Sequence, residues 1–282
     1  MEDNEKATEL EVMLSYDTLK MLTTEMDRSG HSASDLVEEA LRQFLSGKRE
    51  ANSVYLSTPI NALVEGLYVE NITIGDIRRH GNFGLGTFDY LDGEMVILDG
   101  RVYQVRSDGN VYSIADDEHS PFACVTFFKP DTFDDIDDAS SLPDLLTTLD
   151  SLIPSRNMLY AIRVDGEFEY VKCRAVPRSE NYRPLVEATK DQPIFEFRTV
   201  KGSLAGFYTP SFMESLNAPG YHVHFLNEDR SRGGHVMQCS LKSVRIGIQH
   251  VPRLDVGLPD TLDYLTTDLT RNISKDLDKA EK

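Results

Sequence analysis

The segment 220–236 constrains the fold more than any other part of the chain. It holds three of the seven histidines, His222, His224 and His235. An apolar residue follows each of the first two, as in a β-strand, so both imidazoles project from one face. A polar, glycine-rich stretch centred near residue 230 then leads into a second apolar run. The pattern predicts a β-hairpin in which His224 lies opposite His235.

Three imidazoles that converge in this way form a candidate metal site. Neutral histidines without a thiolate leave a coordination position open and suit a catalytic Zn²⁺, although Mn, Fe, Co, Ni or Cu also bind such a set. The alternative is that His-x-His is only a pair of half-exposed strand residues. The third histidine, which follows a Gly-Gly pair, favours the metal site. We predict structural or surface roles for the other four: His31, His80, His119 and His250.

The chain from residue 57 onwards has the sequence pattern of a sheet-rich domain. Short apolar runs are interrupted by Gly, Asp and Pro, which predicts an α+β fold with a mixed or antiparallel sheet. An Asp-Gly pair at 99–100 predicts a tight turn between strands over 94–98 and 102–105. Residues 131–138 are strongly acidic, but they lack the central Gly and final Glu of a calcium loop. We therefore expect a solvated loop there.

Residues 1–50 have a different pattern, with 12 acidic and 6 basic side chains and no proline. Apolar and polar residues alternate over 9–14, which predicts a short strand. Apolar residues at helical spacing follow, and Gly30 is a natural helix stop. Ser32 and Asp35 then form an N-terminal cap for a second amphipathic helix. The segment is therefore predicted to be a strand followed by two helices.

This order resembles the ribbon-helix-helix fold, in which the strands of two chains pair and the helices interlock. The resemblance implies that the segment pairs chains into a homodimer or a higher homo-oligomer. DNA-binding members read bases from outward strand positions, which here would be Glu9, Glu11 and Met13. Two carboxylates per strand are a poor match for the DNA backbone, so we expect pairing without DNA binding. Operator binding and an isolated helical hairpin are the alternatives.

Net charge and cysteine usage narrow the choice of partners and compartment. The chain has 29 Lys and Arg against 47 Asp and Glu, a net charge of −18 that repels nucleic acid and anionic lipid. Its three cysteines fit neither a disulfide framework nor a zinc knuckle. The polar N-terminus lacks the features of a signal peptide, and no apolar run is long enough to span a membrane. We expect a cytoplasmic protein without a membrane partner.

Several motifs in fixed order resemble the α-acetolactate decarboxylase family over about residues 54–282. Besides the histidine segment, they are Gly84–Phe88, Leu91–Glu94, Val171–Pro177, Gln192–Pro193 and Lys201–Pro210. The first fifty residues lie outside this pattern. We therefore predict five parts: a disordered start (1–7), a ribbon-helix-helix-like module (8–48), a linker (49–57), a catalytic domain (58–259) and a tail that folds back over the site (260–282).

The resemblance implies decarboxylation of 2-acetolactate to acetoin by a zinc ion held by His222, His224 and His235. The substrate is a β-keto acid with an adjacent hydroxyl group. Loss of CO₂ leaves an enediolate, and Zn²⁺ stabilises its negative charge as a Lewis acid without an organic cofactor.

The family's other site residues fall on Thr87, Glu94, Arg174 and Glu281. The resemblance implies that Arg174 holds the substrate carboxylate or ketol oxygens and that Glu94 relays a proton or orients the hydroxyl. Thr87 would supply a supporting hydrogen bond, and Glu281 would lie at the mouth of the site. The tail has an apolar stripe with which it could dock: Leu262, Leu265, Leu269, Ile273 and Leu277.

Two other functions fit the same residues. One is a different three-histidine metalloenzyme, such as a cupin-like oxygenase, which would consume O₂. The other is a ribbon-helix-helix regulator whose large domain senses a metabolite, which would bind DNA in a salt-sensitive manner.

Overall fold

The structure is a computed structural model that describes residues 11–45 and 52–281, with the side chains of 42–45 left out. The chain divides into two compact units, Met1–Glu50 and Ala51–Lys282. None of the described helices is both long and apolar enough to cross a bilayer.

The described part of the first unit consists of two helices, α1 (Tyr16–Ser29) and α2 (Ala33–Leu45). Gly30 ends α1 in the left-handed conformation, with φ of 75°, and its N–H bonds back to the last turn. The Ser32 hydroxyl accepts from the Asp35 N–H at 3.2 Å, and the Asp35 carboxylate accepts from the Ser32 N–H at 3.3 Å. This reciprocal cap confirms the predicted start of the second helix.

Residues 11–14 of the predicted strand over 9–14 pair with no other described segment of this chain. Residues 9 and 10 lie outside the described residues. A strand needs a partner to satisfy its backbone N–H and C=O groups, and the ribbon that the sequence resembles takes this partner from a second chain. Met13 is 97% exposed. The ribbon-helix-helix fold of this module stays a prediction.

The second unit is an α+β domain, as predicted. Its first half contains β1 (Ser53–Leu56), α3 (Ile60–Val64), α4 (Ile74–His80), β2 (Phe83–Thr87), β3 (Glu94–Leu98), β4 (Arg101–Val105), β5 (Val111–Ser113), β6 (Ala123–Thr126), β7 (Thr132–Ala139) and α5 (Leu142–Leu152). Its second half contains β8 (Leu159–Arg174), α6 (Leu185–Ala188), β9 (Ile194–Thr209), β10 (Gly220–Asn227), β11 (Gly233–Val251), β12 (Arg253–Val256), α7 (Leu262–Thr266) and α8 (Ser274–Glu281).

These strands form two sheets. The seven-stranded sheet has the order β12-β1-β6-β2-β3-β4-β5, and the five-stranded sheet has the order β10-β9-β8-β11-β7. Only the pairing of β1 with β12 is parallel among the described strands. Strand β10 also pairs with β11, so β8, β9, β10 and β11 form a closed ring of hydrogen-bonded neighbours. The mixed, mainly antiparallel character agrees with the predicted fold class.

Strand β3 shows how alternation places the core. Val96 and Leu98 belong to the cluster that includes residues of both sheets. Met95 and Ile97 belong to a second cluster, on the opposite face of the seven-stranded sheet, which also includes Ile74 and Ile77 of α4. All four β3 side chains are at most 1% exposed. This strand is therefore buried on both faces and fixed in register, which holds the residues at its two ends in place.

The turn that follows β3 is the predicted tight hairpin. Asp99 and Gly100 have φ of 53° and 76°, and Leu98 pairs with Arg101. Positive φ at both central positions is what a type I′ turn requires, and Asp-Gly satisfies it at low cost.

Two segments are more regular than the sequence predicts. Residues 53–56, assigned to the linker, form β1, a buried strand between β6 and β12. Residues 131–138, predicted to be a loop, lie largely in β7, an edge strand that pairs with β11 and with no other described strand. Most side chains of β7 are exposed, so it lacks the apolar alternation by which a half-buried strand is recognised.

The C-terminal stripe is only partly buried. Leu262 and Leu265 are 74% and 68% exposed, whereas Ile273 and Leu277 are at most 4% exposed. The segment between α7 and α8 is not helical, so the spacing across it does not place the five side chains on one face. Ile273 and the helix α8 that follows it therefore pack into the main core, whereas α7 buries none of its side chains.

Candidate metal centre

The hairpin of β10 and β11 brings the three predicted histidines together. His224 pairs with His235 across the two strands, as predicted. The Nε2 atom of His222 lies 3.2 Å from Nε2 of His224 and 3.2 Å from Nδ1 of His235. Among the described residues, this is the one group of three or more His, Cys, Asp or Glu whose ligand atoms lie within 4.8 Å of one another.

The spacing and charge state of these nitrogens fit a bound metal ion. Tetrahedral zinc with Zn–N bonds of about 2.0–2.1 Å places two nitrogen ligands about 3.3 Å apart. Burial lowers the pKa of His222 to about 3. Burial also holds the pKa values of His224 and His235 well below their usual range. The rings are therefore neutral, with lone pairs available for coordination.

Two of the rings are held by hydrogen bonds on the side away from the cluster. Nδ1 of His224 donates to the carbonyl of Met95 on β3 at 2.8 Å. Nε2 of His235 donates to the carbonyl of Glu281 at 3.1 Å. These bonds fix the tautomers and direct the remaining nitrogen of each ring into the cluster. Nδ1 of His222 is buried and has no partner among the described residues.

Glycines allow the strands of this hairpin to approach their neighbours. A Cβ at Gly206 of β9 would lie 2.0 Å from the His222 carbonyl oxygen. A Cβ at Gly234 would lie 2.6 Å from the Arg174 carbonyl oxygen, and Gly234 has φ of 137°. A larger residue at either position would push apart the strands that carry the site.

The carboxylate of Glu94 lies beside the histidines. Its Oε1 accepts from the Val176 N–H at 3.0 Å, and its Oε2 lies 3.5 Å from Nε2 of His224. Burial raises the pKa of Glu94 to about 7. The backbone hydrogen bond holds one oxygen, so the other points towards the histidine cluster.

Glu281 is the second carboxylate at the centre. Its Oε2 lies 3.4 Å from Nε2 of His222 and 3.9 Å from Nδ1 of His235. Burial raises the pKa of Glu281 to about 7. Because α8 ends at this residue, the packing of α8 against the core places both the side chain and the backbone carbonyl of Glu281 at the centre.

Arg174 is the cross-strand neighbour of His235 and is 9% exposed. Its Nη2 donates to the carbonyl of Ala280 in α8 and lies 3.5 Å from Nε2 of His235. The guanidinium carries further donors beside the histidine cluster. Arg174 is therefore placed next to the predicted metal ligands, with one of its N–H groups bound to the tail.

Thr87 lines the cavity, but its hydroxyl proton is directed elsewhere. Thr87 pairs with Glu94 across β2 and β3, and its Oγ1 donates to the Gly93 carbonyl at 2.8 Å. The bond supports the backbone just before Glu94. The predicted hydrogen bond from Thr87 into the site would therefore have to be one that its oxygen accepts.

The histidines and carboxylates open into a cavity. Sequence reasoning did not assign several residues that line it to the site, although Val176 and Gln192 lie within the family motifs, and none of these residues carries a charge that marks it. They come from separate parts of the chain: Ile60, Leu63, Phe122, Val176, Leu185, Thr189 and Gln192. The cavity lining therefore combines ionisable and polar side chains with apolar ones. We call the apolar part, which includes Ile60 and Leu63, the apolar wall.

The fold and the site define an α+β protein with a three-histidine group that could hold a metal, flanked by two buried carboxylates and an arginine. The profile of the family described as alpha-acetolactate decarboxylase matches residues 54–271. The chain belongs to this family, and it is therefore an enzyme of the carboxy-lyase class. Residues 1–53 and Glu281 lie outside the matched segment.

Similar proteins agree with this assignment. The alpha-acetolactate decarboxylase of Methanosarcina mazei is 40% identical over 230 residues, which cover 81% of this chain and 80% of the relative. That of Bacillus subtilis strain 168 is 38% identical over 232 residues, covering 82% and 91%. The crystal structure of alpha-acetolactate decarboxylase from Bacillus subtilis strain 168 superimposes with a TM-score of 0.79, covering 81% of this chain and 99% of that one.

Proposed function

We propose that this chain decarboxylates 2-acetolactate to acetoin and that its cofactor is Zn²⁺ bound by His222, His224 and His235. The observation that carries the metal assignment is the 3.2 Å spacing between nitrogens of the neutral imidazole rings. Backbone carbonyls orient two of the three rings, those of His224 and His235. Membership of the alpha-acetolactate decarboxylase family supports the substrate.

The reaction leaves negative charge on the substrate when CO₂ departs, because the bonding electrons remain as an enediolate. A zinc ion at the three histidines would supply a Lewis acid for that charge. Arg174 would hold the departing carboxylate with the guanidinium N–H groups that Ala280 does not use. The apolar wall, with Ile60 and Leu63, would receive the methyl groups of the substrate and keep water away from them.

Protonation of the enediolate completes the reaction, and two carboxyls are placed to supply the proton. Glu94 and Glu281 both lie within 4 Å of the histidine nitrogens, and burial raises the pKa of each to about 7. Either carboxyl, when protonated, could donate that proton to the enediolate carbon. Delivery from one side of the cavity would give a single acetoin enantiomer.

The decisive experiment is anaerobic incubation of zinc-loaded protein with racemic 2-acetolactate, with and without a zinc chelator. We expect chelator-sensitive formation of one enantiomer of acetoin. Absence of acetoin from protein with zinc confirmed in place would contradict the proposal. Iron in the purified protein together with O₂ consumption would instead identify an oxygenase.

We further propose that the module over residues 8–48 pairs two copies of the chain without binding DNA. Helix α1 buries none of its side chains, and Tyr16 and Met21 are 80% and 74% exposed. A segment of this size buries too little apolar area to be stable on its own. A second copy would supply a matching apolar face and a partner for the predicted strand over 9–14.

We also propose a reducing, cytoplasmic location. Cys124, Cys173 and Cys239 are all free and buried, so each behaves as a small apolar core residue. Proteins of oxidising compartments more often carry their cysteines as disulfides.

A further inference from the structure

One arginine outside the metal centre joins two elements that line the cavity. Nε of Arg271 donates to Oε1 of Glu65 at 2.7 Å, and its Nη1 donates to Oδ2 of Asp276 at 2.6 Å. Glu65 is the C-terminal cap residue of α3, and Asp276 lies in the first turn of α8. A single guanidinium therefore ties the end of α3 to the start of α8.

Both tied elements contribute to the site. Helix α3 supplies Ile60 and Leu63 to the apolar wall, and α8 supplies Ala280 and Glu281. A second bond also joins these regions, since Nδ2 of Asn61 donates to the Leu269 carbonyl at 3.0 Å. The position of α8 relative to α3 sets the distance between the apolar wall and the carboxylate of Glu281.

Three contacts to the centre depend on where α8 lies. The Glu281 carbonyl accepts from His235, the Ala280 carbonyl accepts from Arg174, and the Glu281 carboxylate faces His222. A small displacement of α8 would therefore release the ring of His235, the guanidinium of Arg174 and one carboxylate together. Outer hydrogen bonds of this kind govern metal affinity.

We propose that Arg271 is a positioning residue for the decarboxylation site: by holding α8 against α3, it keeps the Glu281 and Ala280 carbonyls on His235 and Arg174. The inference rests on the proposed function of this centre. Ile273, just before α8, and Leu277 within it are buried in the core, so we expect the loss of Arg271 to shift the helix without unfolding the domain.

The test compares Arg271→Ala with Arg78→Ala. Arg78 forms an ion pair with Asp116 at 2.5 Å and its side chain is 45% exposed, against 46% for Arg271, but its pair lies outside the cavity lining. We expect Arg271→Ala to lower the zinc affinity about five- to tenfold, measured by chelator competition, and to lower kcat by a similar factor. We expect faster amide exchange over residues 273–281. Arg78→Ala should change none of these.

Two further variants separate positioning from general stability. Arg271→Lys keeps the charge but replaces the planar guanidinium fork with a compact ammonium group, so it should recover only part of the zinc affinity that Arg271→Ala loses. Glu65→Gln should weaken zinc binding, and adding Arg271→Ala to it should cost less than Arg271→Ala does alone. Zinc affinity and exchange in Arg271→Ala equal to those in Arg78→Ala would overturn the proposal. If the wild-type protein binds zinc tightly but forms no acetoin, the proposed function is contradicted. The zinc affinity and amide exchange of the Arg271 variants would still test the role of Arg271 in that case.

Discussion

His224 is oriented by Met95, whose carbonyl accepts the Nδ1 proton of the imidazole at 2.8 Å. His224 lies on β10 of the five-stranded sheet, whereas Met95 lies on β3 of the seven-stranded sheet. Glu94, the neighbour of Met95, faces the same imidazole. The candidate metal centre therefore lies where the two sheets pack together, and one buried strand both orients a ligand and supplies a carboxylate.

The first prediction concerns the metal ligands. His224→Ala should abolish acetoin formation and lower the zinc content of the purified protein, because two imidazoles do not replace a three-histidine set. Zinc is measured by elemental analysis. His250→Ala is the control, since His250 lies on β11 with His235 but packs its ring against Tyr160. Normal turnover in His224→Ala would exclude the proposed metal site.

The second prediction concerns Glu94. Glu94→Gln keeps an oxygen that can accept from Val176, but it removes the ionisable carboxyl. If Glu94 handles the proton, kcat should fall by about 10²- to 10⁴-fold. Glu167→Gln, which removes a carboxylate from a surface ion pair with Lys242, is the matched control and should leave kcat unchanged. An unchanged kcat in Glu94→Gln would assign the proton to another group.

The third prediction concerns the N-terminal module. Removal of residues 1–50 should leave turnover largely intact, because the second unit is compact by itself and contains the whole candidate site. The number of chains per particle, measured by light scattering, should fall. An unchanged number of chains would contradict pairing through this module, and lost turnover would show that the module supports the site.

The fourth prediction concerns pH and Glu70, which is 3% exposed. Its Oε2 accepts from the Thr261 hydroxyl, and its Oε1 has no partner among the described residues. Burial raises the pKa of Glu70 from 4.5 to about 7. The folded state therefore binds the proton more tightly than the unfolded state, so this group lowers the free energy of unfolding as pH rises from about 4.5 to about 7.

Glu70→Gln should remove this dependence, because an amide stays neutral and can still accept from Thr261. The variant should be more stable than the wild type at pH 8, by about 1 kcal/mol or more. Urea unfolding at pH 5 and pH 8 measures the difference. A stability gap between the two proteins that does not grow with pH would show that Glu70 does not carry the effect.

Local features of this protein follow from its sequence. The alternation of residues around His222 and His224, with a glycine-rich return to His235, predicts the register of the hairpin, because strand geometry fixes which side chains share a face. The Asp99–Gly100 turn and the cap at Ser32 follow from backbone preferences of single residues. The loop predicted over 131–138 is wrong because the strand formed there depends on β11, a partner that the local sequence does not specify. The strand over 9–14 stays a prediction, because its partner would come from a second chain.

The remainder of the site was decided by the tertiary structure. Family resemblance pointed to Glu94, Arg174 and Glu281, but the residues alone gave each of them an ordinary role in a strand or a tail. Met95 lies 129 positions from His224, and Glu281 lies 46 positions from His235. Contacts over such separations depend on how two sheets and a C-terminal helix pack. Local strand geometry, which can be read from the sequence, fixes which side chains share a face. The packing of the two sheets and of α8 fixes which distant backbone atoms orient them.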